Sequence, residues 1–222
     1  MSESKNNHNW YGFISNYNTK FGSYIDFYGG VDFRYYKGTH TNEIIDLYDG
    51  AYFVDSSRGK ALPANNKNAS NEAWRNEKLG VGDVVYRDYD GHVMQEGAFF
   101  QAEYTREQVS AFVAGSLSNT TYWRYDRFYY DEQHAKSPKV NKVGFNLKGG
   151  ANYNLNENHH VFMNVGYLSR APKFSNTFMQ DNTSNVINKQ AKNEKALMVD
   201  LGYGFNNSHL QMNVVAYYIN WM

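Results

Sequence analysis

The chain has 222 residues, with 22 basic and 22 acidic side chains and no cysteine. A net charge of zero gives no overall field to recruit nucleic acid, and the lack of thiols excludes a disulfide framework or a cysteine-based metal site. Twenty Tyr and eighteen Gly favour strands and tight turns, and Tyr also suits a membrane–water boundary.

Trp10 to Lys20 reads as a first, irregular strand, closed by a turn at about 21–23. Tyr24 to Tyr35 is a clean strand, in which Ile25, Phe27, Val31, Phe33 and Tyr35 alternate with Asp26, Tyr28, Gly30, Asp32 and Arg34. From about 37 to 92 the alternation collapses into a long Asn-, Asp-, Gly- and Tyr-rich connection, a length that points to function or disorder. A third strand spans about Met94 to Tyr104, a turn covers 105–108, and a fourth runs from Val109 to about Ser118. A second long connection covers 119–141. Two further strands, roughly 142–153 and 161–170, form a hairpin around the turn at 154–159. A third long connection covers 171–193. Strand seven carries Leu197, Val199, Leu201, Tyr203 and Phe205 on one face, turns at 206–208 and leads into strand eight.

The connections alternate, short then long, throughout. That rhythm fits an all-β, antiparallel up-and-down transmembrane barrel, with periplasmic turns at one end and extracellular loops at the other. Hydrocarbon offers no hydrogen-bond partners, so only helices and closed sheets span it. The longest apolar run, Val214–Ile219, is far short of the ~20 residues of a spanning helix. The first ten residues contain no apolar signal-peptide core, which leads to the expectation that the chain begins inside a longer gene product. Two other readings stay open at this point. One is a small, self-contained eight-stranded barrel serving as an adhesin or structural protein, and the other is a soluble carbohydrate-binding β-sandwich.

On the barrel reading, Asp26, Asp32, Arg34, Glu103, Lys142, Lys148 and Arg170 face the lumen, because Arg or Lys facing mid-depth lipid costs about 2–4 kcal/mol. The connections concentrate aromatic and charged side chains. Trp74, Tyr86, Arg87, Tyr89, Trp123, Arg124, Tyr125, Asp126 and Arg127 are the candidate ligand-binding residues, since aromatic faces beside hydrogen-bonding charges hold sugar- or chelate-sized ligands. The plainer reading of the same residues is that they pack the loops onto one another. No catalytic motif is present: Gly80-Val-Gly82 lacks the third glycine of a dinucleotide fingerprint. Asp88-Tyr-Asp-Gly91 begins like a calcium loop but lacks its distal ligands, and His159-His160 has no third ligand nearby. Asn119-Thr-Thr121 and Asn182-Thr-Ser184 match glycosylation acceptors without a role in a bacterial outer membrane. Neither an enzyme, a cofactor nor a metal site is therefore expected.

Tyr167-Leu-Ser-Arg-Ala-Pro-Lys-Phe174 resembles the Tyr-x-x-Arg-Ala-Pro segment that closes a late barrel strand in TonB-dependent outer-membrane receptors. Asn188-Lys-Gln-Ala-Lys-Asn-Glu-Lys195, followed by Val199-Asp-Leu-Gly-Tyr203, is similar to the same family's Asn-Pro-x-Leu-Lys-Pro-Glu stretch and the strand after it. Both family prolines are missing, and Asp200 replaces the usual Glu. The resemblance implies about eight strands of a barrel of about 22, plugged in its lumen. It implies a bacterial outer-membrane location and TonB-energised uptake of a scarce nutrient, whether siderophore, corrinoid or glycan. Its implied partners are outer-membrane lipid, a plug domain and TonB from outside this segment, a surface lipoprotein, and a small-molecule or glycan ligand. A segment with unclosed edge strands is expected to aggregate rather than transport on its own.

Overall fold

The computed structural model describes residues 1–179 and 183–222, so Asn182 of the second glycosylation match lies outside the described residues. Eight strands form one antiparallel sheet in chain order: β1 (Ser2–Phe21), β2 (Ile25–Ile44), β3 (Val84–Arg106), β4 (Val109–Asp126), β5 (Val140–Asn154), β6 (His159–Arg170), β7 (Glu194–Asn206) and β8 (Gln211–Trp221). Two single-turn helices, α1 (Glu72–Arg75) and α2 (Phe174–Thr177), lie in the long connections. Among the described residues every strand pairs only with its neighbours in sequence, with no crossover, and the two-sheet sandwich is excluded. Among the described residues β1 and β8 pair with no further strand, which leaves the sheet open and not a closed eight-stranded barrel. No helix among them is long and apolar enough to cross a membrane.

Register carries one face across the whole sheet. Starting from Phe33, the partners Phe13, Val31–Ala98, Ala98–Leu117, Leu117–Phe145 and Leu147–Tyr167 fall on the same side. Tyr167–Leu197 and Leu201–Ala216 continue that side to β8. A side-chain period of two fixes this outcome, because a slip of one residue would exchange the faces. No described residue covers these side chains: Leu117, Val143, Leu147, Leu201 and Val214 are each 53–59% exposed. An apolar face this extensive far exceeds the patches tolerated in water, and hydrocarbon is the solvent that suits it. Tyr104, Tyr153 and Tyr203 end the face near the short turns, while Tyr35 and Tyr167 lie toward the long connections. From Tyr104 to His92 on β3 the apolar side covers about 30 Å at the usual rise and tilt of barrel strands.

The strands outrun the sequence expectation at the end bearing the long connections. β2 continues to Ile44, β3 begins at Val84 and β4 ends at Asp126, so the connections are 45–83, 127–139 and 171–193 instead of 37–92, 119–141 and 171–193. Tyr86, Arg87, Tyr89, Trp123, Arg124, Tyr125 and Asp126, expected in loops, are therefore strand residues. The physical reason is local. Above the apolar band neither face needs greasy side chains, so the period-two signal fades while backbone pairing such as Thr39↔Asp90 and Asp90↔Tyr125 goes on.

The two buried clusters sit in the connections and the strand ends that meet them. Ala61, Ala69, Phe128, Tyr129 and Tyr130 cluster with Trp74 and Val84, and Ile44, Leu79 and Val85 cluster with Leu47 and Phe53. A bulge beside Thr41 and Glu43 joins the two levels. There Tyr86 takes φ 66°, a costly conformation for a bulky residue. The Tyr86 N–H donates to Asp55 Oδ2 at 2.7 Å and its carbonyl accepts from the Tyr129 hydroxyl at 2.7 Å. Asp55 also accepts from Ser57 N–H, so one buried carboxylate fixes both the bulge and the first loop.

Opposed substitutions at neighbouring positions test the two faces. Leu147→Arg should destabilise the receptor containing this segment by about 2–4 kcal/mol in lipid, whereas Asn146→Arg on the other face should change little. Urea unfolding of the reconstituted protein reads the difference.

Candidate functional site

The face opposite the apolar one is polar along the lower sheet and becomes aromatic near the long connections. Asp26, Asp32, Arg34, Glu103, Lys142, Lys148 and Arg170 all lie on it by register. Several are braced: Lys20 to Asp26 at 3.0 Å, Arg34 to Asp32 at 3.6 Å, and Arg170 to Glu194. Gln101 donates to Glu103, and Lys142 Nζ donates to the Ala191 carbonyl at 2.6 Å. A shallow depression of about 520 Å³, lined in part by Glu103, Phe112, Lys148, Asn152 and Asn164, occupies the same face.

Higher on this face a continuous wall crosses four strands. Trp10 and Tyr36 lie 4.6 Å apart, Tyr36 and His8 are stacked at 5.7 Å, and His8 meets His40 edge-on at 5.9 Å. His40 in turn faces Tyr89 at 4.9 Å, and the Arg124 guanidinium sits 4.2 Å from the Tyr89 ring. Arg87 joins the wall's edge, with Nε donating to Asn42 Oδ1 at 3.1 Å and a further hydrogen bond to Ser4. Burial, then the positive field of Arg87, holds the His40 imidazole below its ordinary value and hence neutral at pH 7. Arg124 is fully buried and bonds Asp126 at 3.0 Å, while its Nε and Nη1 have no hydrogen-bond partner among the described residues. Burial pushes the Asp126 carboxyl up against the opposing pull of two backbone N–H groups and Arg124.

The connection after β6 closes over this wall. Its Pro172 carbonyl accepts from the Tyr122 hydroxyl at 2.6 Å, Phe174 lies against Gly91, and Phe178 sits 5.9 Å from Arg124. Asn185 reaches the neighbouring connection, its N–H donating to Tyr130 Oη at 2.9 Å and its side chain to the Ala135 carbonyl at 2.8 Å. Because β6 lies three strands from β3, this segment crosses the polar face to make these contacts.

Strand alternation divides the sequence-adjacent candidates. Arg87, Tyr89, Arg124 and Asp126 lie on the polar face, whereas Trp123 and Tyr125 lie on the apolar side above the greasy band. Trp123 stacks on His92 at 4.9 Å with the rings 5° from parallel, and Lys139 caps it at 4.9 Å. Arg127 binds Asp88 and Asp90 on that side, so the carboxylates of the calcium-like stretch are engaged by protein cations. Trp74 is a loop staple beneath Arg58, 4.9 Å away, and Tyr86 is the bulge residue. These two residues support the loop-packing reading. Tyr36, His8 and His40 escaped sequence reasoning because they fall outside the expected strand bounds, and Trp10 because it opens an irregular strand without clear alternation. Their available signal is a two-residue spacing, His8 to Trp10 and Tyr36–Gly38–His40. His159 and His160 begin β6 and point to opposite faces, so they do not chelate together. Among the described residues no three His, Cys, Asp or Glu side chains gather in a metal-holding group.

The family model "TonB dependent receptor-like, beta-barrel" matches residues 2–221. The chain belongs to this family. It is a family of outer-membrane transport proteins and not of enzymes. Among solved structures, the "Copper transporter OprC" superposes with a TM-score of 0.66 at 12% identity, covering 97% of this chain and 30% of that one. The FrpB iron transporter from Neisseria meningitidis, in its F5-1 apoprotein form, gives 0.57 at 13% identity over 97% of this chain and 29% of its own. At such identities the likeness is one of fold, and the chain spans about a third or less of either transporter. No curated protein sequence matches it.

The Arg127 clamp gives a pH-dependent test outside the membrane-spanning band. Burial pushes Asp90 up, but hydrogen bonds from Arg127, Thr39 and Lys37 outweigh it and hold the carboxyl at about 2. Its folded value lies below the unfolded one, so the clamp's stabilisation is present above about pH 4 and disappears as pH falls through about 2. Arg127→Met should therefore speed proteolysis of residues 127–139 at pH 7 and make little difference near pH 2, read by mass spectrometry of timed digests.

Proposed function

We propose that this segment forms part of the wall and mouth of a bacterial outer-membrane receptor that takes up a scarce nutrient with energy delivered by TonB. The observation carrying this reading is the division of a single sheet into an uncovered apolar face and a polar face. The mouth end of the polar face gathers Trp10, Tyr36, Tyr89 and Arg124. Family membership and two transporter neighbours support the general role.

In this arrangement the apolar face meets outer-membrane lipid, the short turns are periplasmic and the long connections are extracellular. The lumen-side charges, with Glu103 and Lys148 beside the shallow depression, brace a plug domain contributed by another part of the receptor. The connections capture a small molecule or glycan of the siderophore, corrinoid or glycan kind, with a surface lipoprotein as a further partner above the mouth. The wall lends stacking surface and hydrogen bonds, with no bond-making chemistry. TonB supplies the work of moving the plug, because a ligand held by stacking and charge must be released against its own affinity.

In cells limited for each nutrient class in turn, deleting the gene encoding this chain or the gene for TonB should abolish accumulation of one labelled nutrient. Unchanged accumulation of all of them in both strains overturns the reading. Trp10→Ala and Tyr36→Ala should each weaken capture of that nutrient about threefold to tenfold, the worth of one stacked ring. The check is equilibrium binding to the full-length receptor.

A further inference from the structure

We infer that His8 and His40, beside Gly38, form a two-imidazole site for a divalent late transition-metal ion. It deepens the uptake reading by giving the mouth wall a metal-ion ligand, and depends on that reading only for its transport role.

The register brings the parts together. His8 on β1 lies directly opposite Gly38 on β2, with Tyr36 and His40 two residues to either side of that glycine, all on the polar face. A Cβ on Gly38 would collide with the Tyr36 hydroxyl and come within 2.9 Å of His40 Nε2. Glycine therefore leaves room that the Tyr36 hydroxyl enters, and His40 Nε2 lies beside it.

Both imidazoles are oriented through the nitrogen that would not ligate. His40 Nδ1 lies 2.6 Å from Asn6 Oδ1, and since an amide oxygen only accepts, the proton sits on Nδ1 and the lone pair on Nε2. His8 Nδ1 lies 2.6 Å from Tyr36 Oη, a hydroxyl able to accept its proton. An oxygen on the second ring nitrogen is the arrangement that fixes tautomer and direction in metal-bound histidines. With metal–nitrogen bonds of about 2.0–2.1 Å, two imidazoles on one ion place their ring centres about 5 Å apart. Here they lie 5.9 Å apart, edge to face, so bridging one ion requires the ring centres to close by about 1 Å.

Imidazole suits nickel, copper and zinc and not the hard cations magnesium or calcium. Two protein ligands leave the other positions to water, which suits an ion in transit, because a transported ion must leave as well as enter. Arg87 and Arg124 border the same wall and oppose a bound cation. The result is a loose site and not a structural cage. It was invisible in the sequence because its histidines are 32 positions apart and both fall outside the expected strands.

The test uses Cu²⁺, the most strongly bound of these ions, titrated into the full-length receptor at neutral pH and followed by electron paramagnetic resonance and calorimetry. The expected spectrum shows coupling to two imidazole nitrogens. His8→Ala and His40→Ala should each lose one nitrogen and weaken binding at least about tenfold, and Asn6→Ala should weaken it by about tenfold. Gly38→Val keeps both imidazoles but displaces the Tyr36 hydroxyl that orients His8, and should also lose the two-nitrogen signal. His159→Ala should leave it unchanged, and heat-modifiable gel migration confirms that each variant is folded. A two-nitrogen signal that survives in the His8→Ala, His40→Ala double variant overturns the assignment, as does its absence from the wild-type receptor. If Cu²⁺ binds as described while gene deletion alters uptake of nothing, the site stands and the uptake reading falls. If no Cu²⁺ binds while TonB-dependent uptake of an organic nutrient persists, the site falls and uptake stands.

Discussion

The fold depends on what hydrocarbon withholds. With no partner for a peptide group in the membrane interior, every N–H and C=O of a spanning strand must find its mate in the adjacent strand. From that follow the neighbour-only pairing of all eight strands and the fixed register that carries Phe33, Leu117, Leu147 and Leu201 on one side. The faces are a consequence of the ladder: once pairing is fixed, each side chain is committed to lipid or to the interior with no intermediate choice.

Above the lipid the same ladder persists under a different rule. Water can satisfy a frayed backbone, so the upper strands are held by specific devices. A left-handed Tyr86 is clamped between Asp55 and Tyr129, Arg127 straddles two aspartates, and Trp123, His92 and Lys139 form a stack. The connections then bury what the sheet does not. Phe128, Tyr129 and Tyr130 form a small core with residues of the first long connection, and Asn185 ties in the third. The three connections thus share contacts and form one cap.

Where lipid imposes period two, the sequence is readable: Ile25 to Tyr35, Ala98 to Tyr104 and Leu197 to Tyr203 announce their strands. Lys142, Lys148 and Arg170 announce the polar face by the cost of placing them elsewhere. The reading fails where that pressure ends. Tyr89 and Arg124 are on strands, but the residues around them carry no alternation, and nothing local reveals that Tyr89 and Asp126 are direct partners. The candidate wall is harder still, because His8, Tyr36, His40, Tyr89 and Arg124 come from four strands, joined only by a register that propagates through them. Neighbours in sequence such as Trp123 and Arg124 were grouped, although a strand necessarily sends them opposite ways.

One recurrent detail of the polar face concerns its relief. Phe99 lies over Gly30, Phe112 over Gly150 and Phe162 over Gly202, so that a Cβ at the first two glycines would meet a ring at 2.7 and 2.8 Å and at the third would collide outright. Rings set over glycines add apolar thickness close to the sheet. At these three places the relief of the polar face is low, whereas Trp10 and Tyr217 stand proud of it.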